Sequence, residues 1–150
     1  MMTMHARTLY LAHKNPAGLQ HRCGPVRSRR RYNKVATFQS MQAGLIEWRA
    51  QLYALTQGFC CSSPVEVLQH LLRDRDGDPW QSLSTLHRIA DRAHLPSAFA
   101  PVEWSDAGTR IVWSAAILST VLWHPQHTLL LHDAPLDWQL HDKIMARPWP

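Results

Sequence analysis

Four histidines gather towards the C-terminal end of the chain, His124, His127, His132 and His141, with Asp133 and Asp142 directly beside two of them. Imidazole is a frequent zinc ligand, and three protein ligands plus a water make a hydrolytic centre. The spacing argues against such a centre. Pro125 interrupts "HPQH", so His124 and His127 cannot share a helix face as an i, i+3 pair, and no H-E-x-x-H motif is present. Cys60 and Cys61 add little, because adjacent thiolates chelate one tetrahedral ion poorly. Scattered, partly exposed histidines are the expectation, with no metal and no cofactor. A zinc-dependent hydrolase built on the four histidines is the third-ranked functional reading.

Other catalytic chemistry fares no better. There is no G-x-S-x-G elbow, and Ser62 and Ser63 are better used as helix caps. A cysteine at a helix N-terminus can have a lowered pKa, yet a lone cysteine of this sort is more often a small buried hydrophobe. The six glycines are scattered singly, so no phosphate-cradling loop exists. In "DRDGD" (74–78) the glycine falls fourth from Asp74 and position twelve is Thr85, which does not fit an EF-hand loop. Nothing points to an enzyme.

The charge distribution is more informative. Residues 1–34 carry eight basic side chains and no acid, whereas the remaining eight basic residues face all eleven acids. Five of the basic residues stand in the nine-residue run "VRSRRRYNK" (26–34). Arg27, Arg29, Arg30, Arg31 and Lys34 would meet phosphates through Coulomb attraction and counterion release, and Tyr32 would stack on a base. The same composition suits a targeting segment, a contact for an acidic partner, or a solvated tail. A second DNA-binding pattern, helix-turn-helix-like, is faint in "LHRIADRAHLPSAF" (86–99). There His94 stands where the turn usually wants glycine, and Pro101 would cut the recognition helix after about one turn. An ordinary helix–turn packing unit is the better reading.

The elements that position these residues read as helices. Met41, Leu45, Trp48, Leu52 and Leu55 form an apolar stripe at spacings of four and three, with Ser40 as cap and Gly58 where a terminating glycine would sit. Ser63, Pro64 and Glu66 form a capping box in front of Val67, Leu68, Leu71 and Leu72. A third helix starts at Asp78–Pro79 and closes at Leu95–Pro96. A fourth runs from Ser105 or Asp106 to about Trp123, apolar on nearly every side and therefore central. "TLLLH" (128–132) is ambiguous between strand and helix, and 134–145 reads as a last amphipathic helix. The first 40 residues hold turn signals and at most one weak helical turn near 4–13. The expected organisation is a basic flexible arm over 1–39 and a helical domain over 40–150. The fold class is all-α, an irregular bundle of about five helices with a basic, poorly ordered N-terminal arm.

The longest apolar run, 111–123, is shorter than the roughly 20 residues a membrane span needs. Three cysteines, two of them adjacent, make a poor disulfide framework and suit a reducing, cytoplasmic setting. All seven tryptophans lie after residue 40, more than five short helices need for a core. Trp138 and Trp149 are the expected exposed surplus, because the terminal "RPWP" is rich in proline, and aromatics are enriched as interface anchors. The leading expectation is therefore a small non-catalytic helical protein that binds a protein partner as an adaptor or accessory subunit. Nucleic-acid binding through the arm is the alternative.

Overall fold

A computed structural model describes residues 6–20, 35–73 and 79–149 of the chain. Among the described residues six α-helices carry the fold: α1 (Ala6–Ala12), α2 (Met41–Tyr53), α3 (Pro64–Leu72), α4 (Pro79–Arg92), α5 (Ala107–Val121) and α6 (Trp138–Met145). The described residues contain no strand, only an isolated antiparallel bridge between Gln20 and Val35. The all-α class follows from the apolar periodicity, and α1 is the element that the weak signal near 4–13 marks.

Helix starts lie where side chains can satisfy the orphaned amides of a first turn. Ser40 accepts from Ala43 N at 3.1 Å. Ser63 accepts from Glu66 N at 3.2 Å while Glu66 reaches back to Ser63 N at 3.1 Å, a complete capping box. Asp106 caps α5 through Thr109 N at 2.9 Å, and Asp137 caps α6 through Leu140 N. The last helix thus begins later than position 134. The 128–132 segment is loop rather than strand or helix. Asp78, the expected cap of α4, and the "DRDGD" acids lie outside the described residues.

Helix ends are less regular. After Tyr53 the chain widens into a π-helical turn, Ala54–Gly58, and the left-handed residue that stops it is Cys60 (φ 56°), not Gly58. The wider turn uses up extra residues and moves the reversal past the glycine. At the end of α4, His94 N bonds Asp91 O and Leu95 N bonds Ala90 O around a left-handed His94 (φ 57°), a Schellman arrangement. From there to Asp106 the chain is irregular, so no recognition helix follows. That segment instead seals the start of α3, through Val65 N to Ala98 O and Val102 N to Ser62 O. The indole of buried Trp104 also donates to Ser62 O.

Helix α5 is the centre, packed by α4 on one side and α6 on another, with α3 also touching it. From Trp113 to Leu122 it presents no exposed side chain, because it is apolar or small all round. Trp48, Leu52, Leu68, Leu86, Ile89, Trp113, Ile117 and Ile144 join in one core.

Described parts of the N-terminal segment lie against this body. α1 ends in a second Schellman arrangement around left-handed Lys14 (φ 56°), with Asn15 N on Tyr10 O and Lys14 N on Leu11 O. Asn15 and Ala17 are fully buried. The Asn15 side chain donates to Leu19 O and Ala36 O and accepts from Leu19 N, so one amide ties residues 15–19 to 36. Glycine at position 44 of α2 is what admits this turn: a Cβ there would stand 1.9 Å from Lys14 O.

Candidate functional site

The four histidines do not converge. His124 and His127 are neighbours, with ring centroids 5.7 Å apart. His132 and His141 lie edge-on to the ring of Trp138, at 4.9 and 5.2 Å. Among the described residues, no group of three or more His, Cys, Asp or Glu is placed to hold a metal ion.

His141 has a different assignment. It is fully buried on α6 and joins three helices through a chain of short hydrogen bonds. Trp48 Nε1 on α2 donates to Ser114 Oγ on α5 at 2.9 Å. Ser114 Oγ lies 2.7 Å from His141 Nε2, and His141 Nδ1 lies 2.7 Å from Asp142 Oδ1. The partners dictate the proton positions. An ionised Asp142 only accepts, so Nδ1 carries the hydrogen of the neutral ring, and Nε2 accepts from the Ser114 hydroxyl. Burial lowers the pKa of His141, against the opposing pull of Asp142, and so favours the neutral ring.

The order of atoms, hydroxyl to Nε2 and Nδ1 to carboxylate, is that of a Ser-His-Asp relay. Ser114 and His141 nevertheless expose no surface, and the Trp48 indole sits on the hydroxyl oxygen. An acyl group has no access to such a nucleophile, so the array satisfies buried polar groups and aligns α2, α5 and α6. Sequence reasoning noticed the His141–Asp142 adjacency but missed Ser114 and Trp48. They are 27 and 93 positions away from His141, and no local pattern links them.

The expected interface tryptophans also find partners within the domain. Trp138 donates to Ala134 O and is half-buried between His132 and His141. Trp149 packs edge-on against Tyr53 at 5.0 Å, with the guanidinium of Arg110 4.2 Å and that of Arg49 5.1 Å from its ring centroid. The prolines do not keep the tail off the body, because the two arginines bind its carbonyls. Arg110, almost fully buried, donates to Met145 O, Trp104 O, Ser105 O and Arg147 O, and Arg49 donates to Arg147 O and Pro148 O. Neither tryptophan is among the exposed large apolar side chains, which corrects the expectation of an exposed surplus.

Exposure instead falls on Trp80 (76%), Phe59 (65%) and Phe99 (63%). Phe59 leans on His70 of α3, and Phe99 leans on His87 of α4. Trp80 and His87 share one side of α4, seven residues apart. The pairing of 98–102 with 62–65 carries Phe99 to the start of α3. The packed pair α3–α4 thus supports all three aromatics, whereas the sequence reading had placed the exposed surplus at Trp138 and Trp149.

Arg27, Arg29, Arg30, Arg31, Tyr32 and Lys34 lie outside the described residues. The residues flanking them are joined: Gln20 bridges Val35, and Ala36 N bonds Leu19 O at 2.9 Å. No helix of the described residues is long and apolar enough to cross a membrane. Comparison with protein-family models, curated proteins and solved structures gave no match.

Proposed function

We propose that this chain is a small non-catalytic helical protein that binds a protein partner, as an adaptor or accessory subunit of a larger assembly. One observation carries the reading: three large aromatics, Trp80, Phe59 and Phe99, are more than 60% exposed on the elements around α3 and α4. Scattered exposed apolar residues need no explanation, but large aromatics are favoured as interface anchors. The free cysteines Cys60 and Cys61 suit a cytoplasmic setting. The test is stoichiometric co-purification from the native host by the wild type and by a Trp80→Ala/Phe99→Ala variant. Both side chains are largely exposed, so the variant should fold, with each truncation costing about 0.5 kcal/mol or less, which denaturant unfolding of the variant checks. Loss of a stoichiometric protein partner supports the reading. Equal recovery with the variant, or no stoichiometric partner at all, refutes it.

Nucleic-acid binding through the basic run is the second reading, favoured by the acid-free stretch 1–34. If roughly four phosphates are contacted, the log–log salt slope should be near −3.6, about 150-fold weaker binding at 200 mM than at 50 mM salt. Replacing Arg29, Arg30 and Arg31 by alanine should flatten that slope for all sequences alike. Unchanged affinity at 50 mM salt would exclude the run as the binding element.

A further inference from the structure

We infer that the Trp48–Ser114–His141–Asp142 array is an acid-sensitive latch that holds α6 on α2 and α5, and that a proton on His141 Nε2 releases α6. The argument starts from the direction of the hydrogen bonds. In the neutral array every hydrogen has one acceptor: Trp48 to Ser114, Ser114 to His141 Nε2, and His141 Nδ1 to Asp142. A second ring proton would point at Ser114 Oγ from 2.7 Å, where the serine hydrogen already lies. The hydroxyl must then turn away and accept from both Trp48 and His141. Its own hydrogen would then turn back to a carbonyl of the preceding turn, as Thr120 Oγ1 does to Ala116 O, so the order of the array is broken and the helix is put under the strain of back-bonding. A charge would also appear on a ring with no exposed surface.

The groups around the ring do not remove that cost. On α6, Asp142 is the only bonded counter-charge and its side chain is 45% exposed, so solvent screens it. Asp137 is engaged at the helix cap and Lys143 is an exposed like charge. From the preceding loop, His132 flanks Trp138 and disfavours a charge on His141, while Asp133 is engaged with Thr128. From α5 the nearest cation, Arg110, is committed to tail carbonyls, and α2 contributes the neutral indole of Trp48 between exposed Glu47 and the tail-bound Arg49. Once α6 leaves, the imidazole recovers its ordinary pKa near 6.5 in water. The released state therefore binds more protons below that pH, and release becomes easier as pH falls.

Amide hydrogen exchange on the full chain, corrected for intrinsic rates, tests this at pH 7.5 and 5.5. With the latched pKa below 6.5, the opening constant of α6 should rise across that interval, towards a ceiling of about tenfold set by the ordinary imidazole of the released state. The amides of 141–146 should lose protection to match, while those of 83–92 in α4 keep theirs. His132→Gln should keep the response and His141→Gln should abolish it. Equal loss in α4 and α6, no loss in α6, or a persisting response in a folded His141→Gln variant would each overturn the latch. Should His141→Gln fail to fold, nitrogen-15 titration of the wild-type imidazoles decides. A His141 that protonates at or above pH 6.5 with α6 still protected overturns the proposal, and one that stays neutral until α6 opens supports it.

Discussion

Gly44→Ala separates two physical effects of opposite sign. In a free helix the change should stabilise α2 by about 0.5–1 kcal/mol, because alanine loses less backbone entropy. Here the new Cβ would stand 1.9 Å from Lys14 O, 3.0 Å from Lys14 C and 3.3 Å from Pro16 Cδ. An ordinary carbon contact needs about 3.5–4 Å, so the backbone at Lys14 must retreat by roughly 1.5–2 Å. It cannot do so freely. Lys14 is the left-handed residue of a hydrogen-bonded turn, and the next residue is fully buried Asn15 with three side-chain hydrogen bonds. Overpacking of this kind costs about 1–3 kcal/mol, which outweighs the helical gain. Urea unfolding should show a loss of about 1–2 kcal/mol, and amide exchange at Asn15 and Gly18 should accelerate. Detachment of residues 13–20 with an otherwise intact α2 would be the milder form of the same outcome. A variant more stable than wild type by the helical increment would refute the close approach and leave the N-terminal segment off the body.

Trp113→Ala, at a residue 1% exposed on the central helix, should cost about 3–5 kcal/mol in denaturant unfolding, and a loss below about 1 kcal/mol would refute its central burial. His94→Gly should stabilise by up to about 1 kcal/mol, because His94 holds the left-handed position of the α4 terminus from an exposed site; thermal melting checks the sign. Arg110→Met should cost at least about 2 kcal/mol and loosen the tail, since it strands buried carbonyls at Met145 and Trp104; faster amide exchange at Arg147, whose N–H bonds Ile144 O, reads the second effect. Stability should fall on the acid side in two stages. His141 is held neutral by burial, so its contribution is complete above the unfolded value near 6.5 and is lost as pH drops below it. Glu66, held low chiefly by the Ser63 hydroxyl, and Asp106, held low chiefly by Thr109 N, add losses only below their usual 4.5 and 3.8. A stability profile flat from pH 7.5 to 5 would contradict the histidine stage.

The helix starts were legible because a cap is a local contract: Ser40, Ser63 with Glu66, and Asp106 meet amides three residues away. The stripe Leu45, Trp48, Leu52, Leu55 was legible for the same reason, since 3.6-residue periodicity is written along the chain, and all four are buried. Left-handed stops were only half legible. His94 stood where a turn usually wants glycine although the helix was expected to close at Leu95–Pro96, and the π-helical turn moved the other stop from Gly58 to Cys60. Tertiary structure alone decided the rest. Trp149 turned inward because Arg49 and Arg110, about 100 and 39 positions away along the sequence, offer donors to its backbone neighbours and cationic faces to its ring. His141 became a buried acceptor because Ser114 and Trp48 arrive from two other helices, whose approach no short-range rule encodes. Trp80, Phe59 and Phe99 stayed outside because the core faces of α3 and α4 were already filled by Val67, Leu68, Leu83, Leu86 and Ile89. Hydrogen bonds and stripes within one helical turn depend on neighbours in sequence, whereas the fate of a single aromatic or histidine depends on what the packed helices bring opposite it.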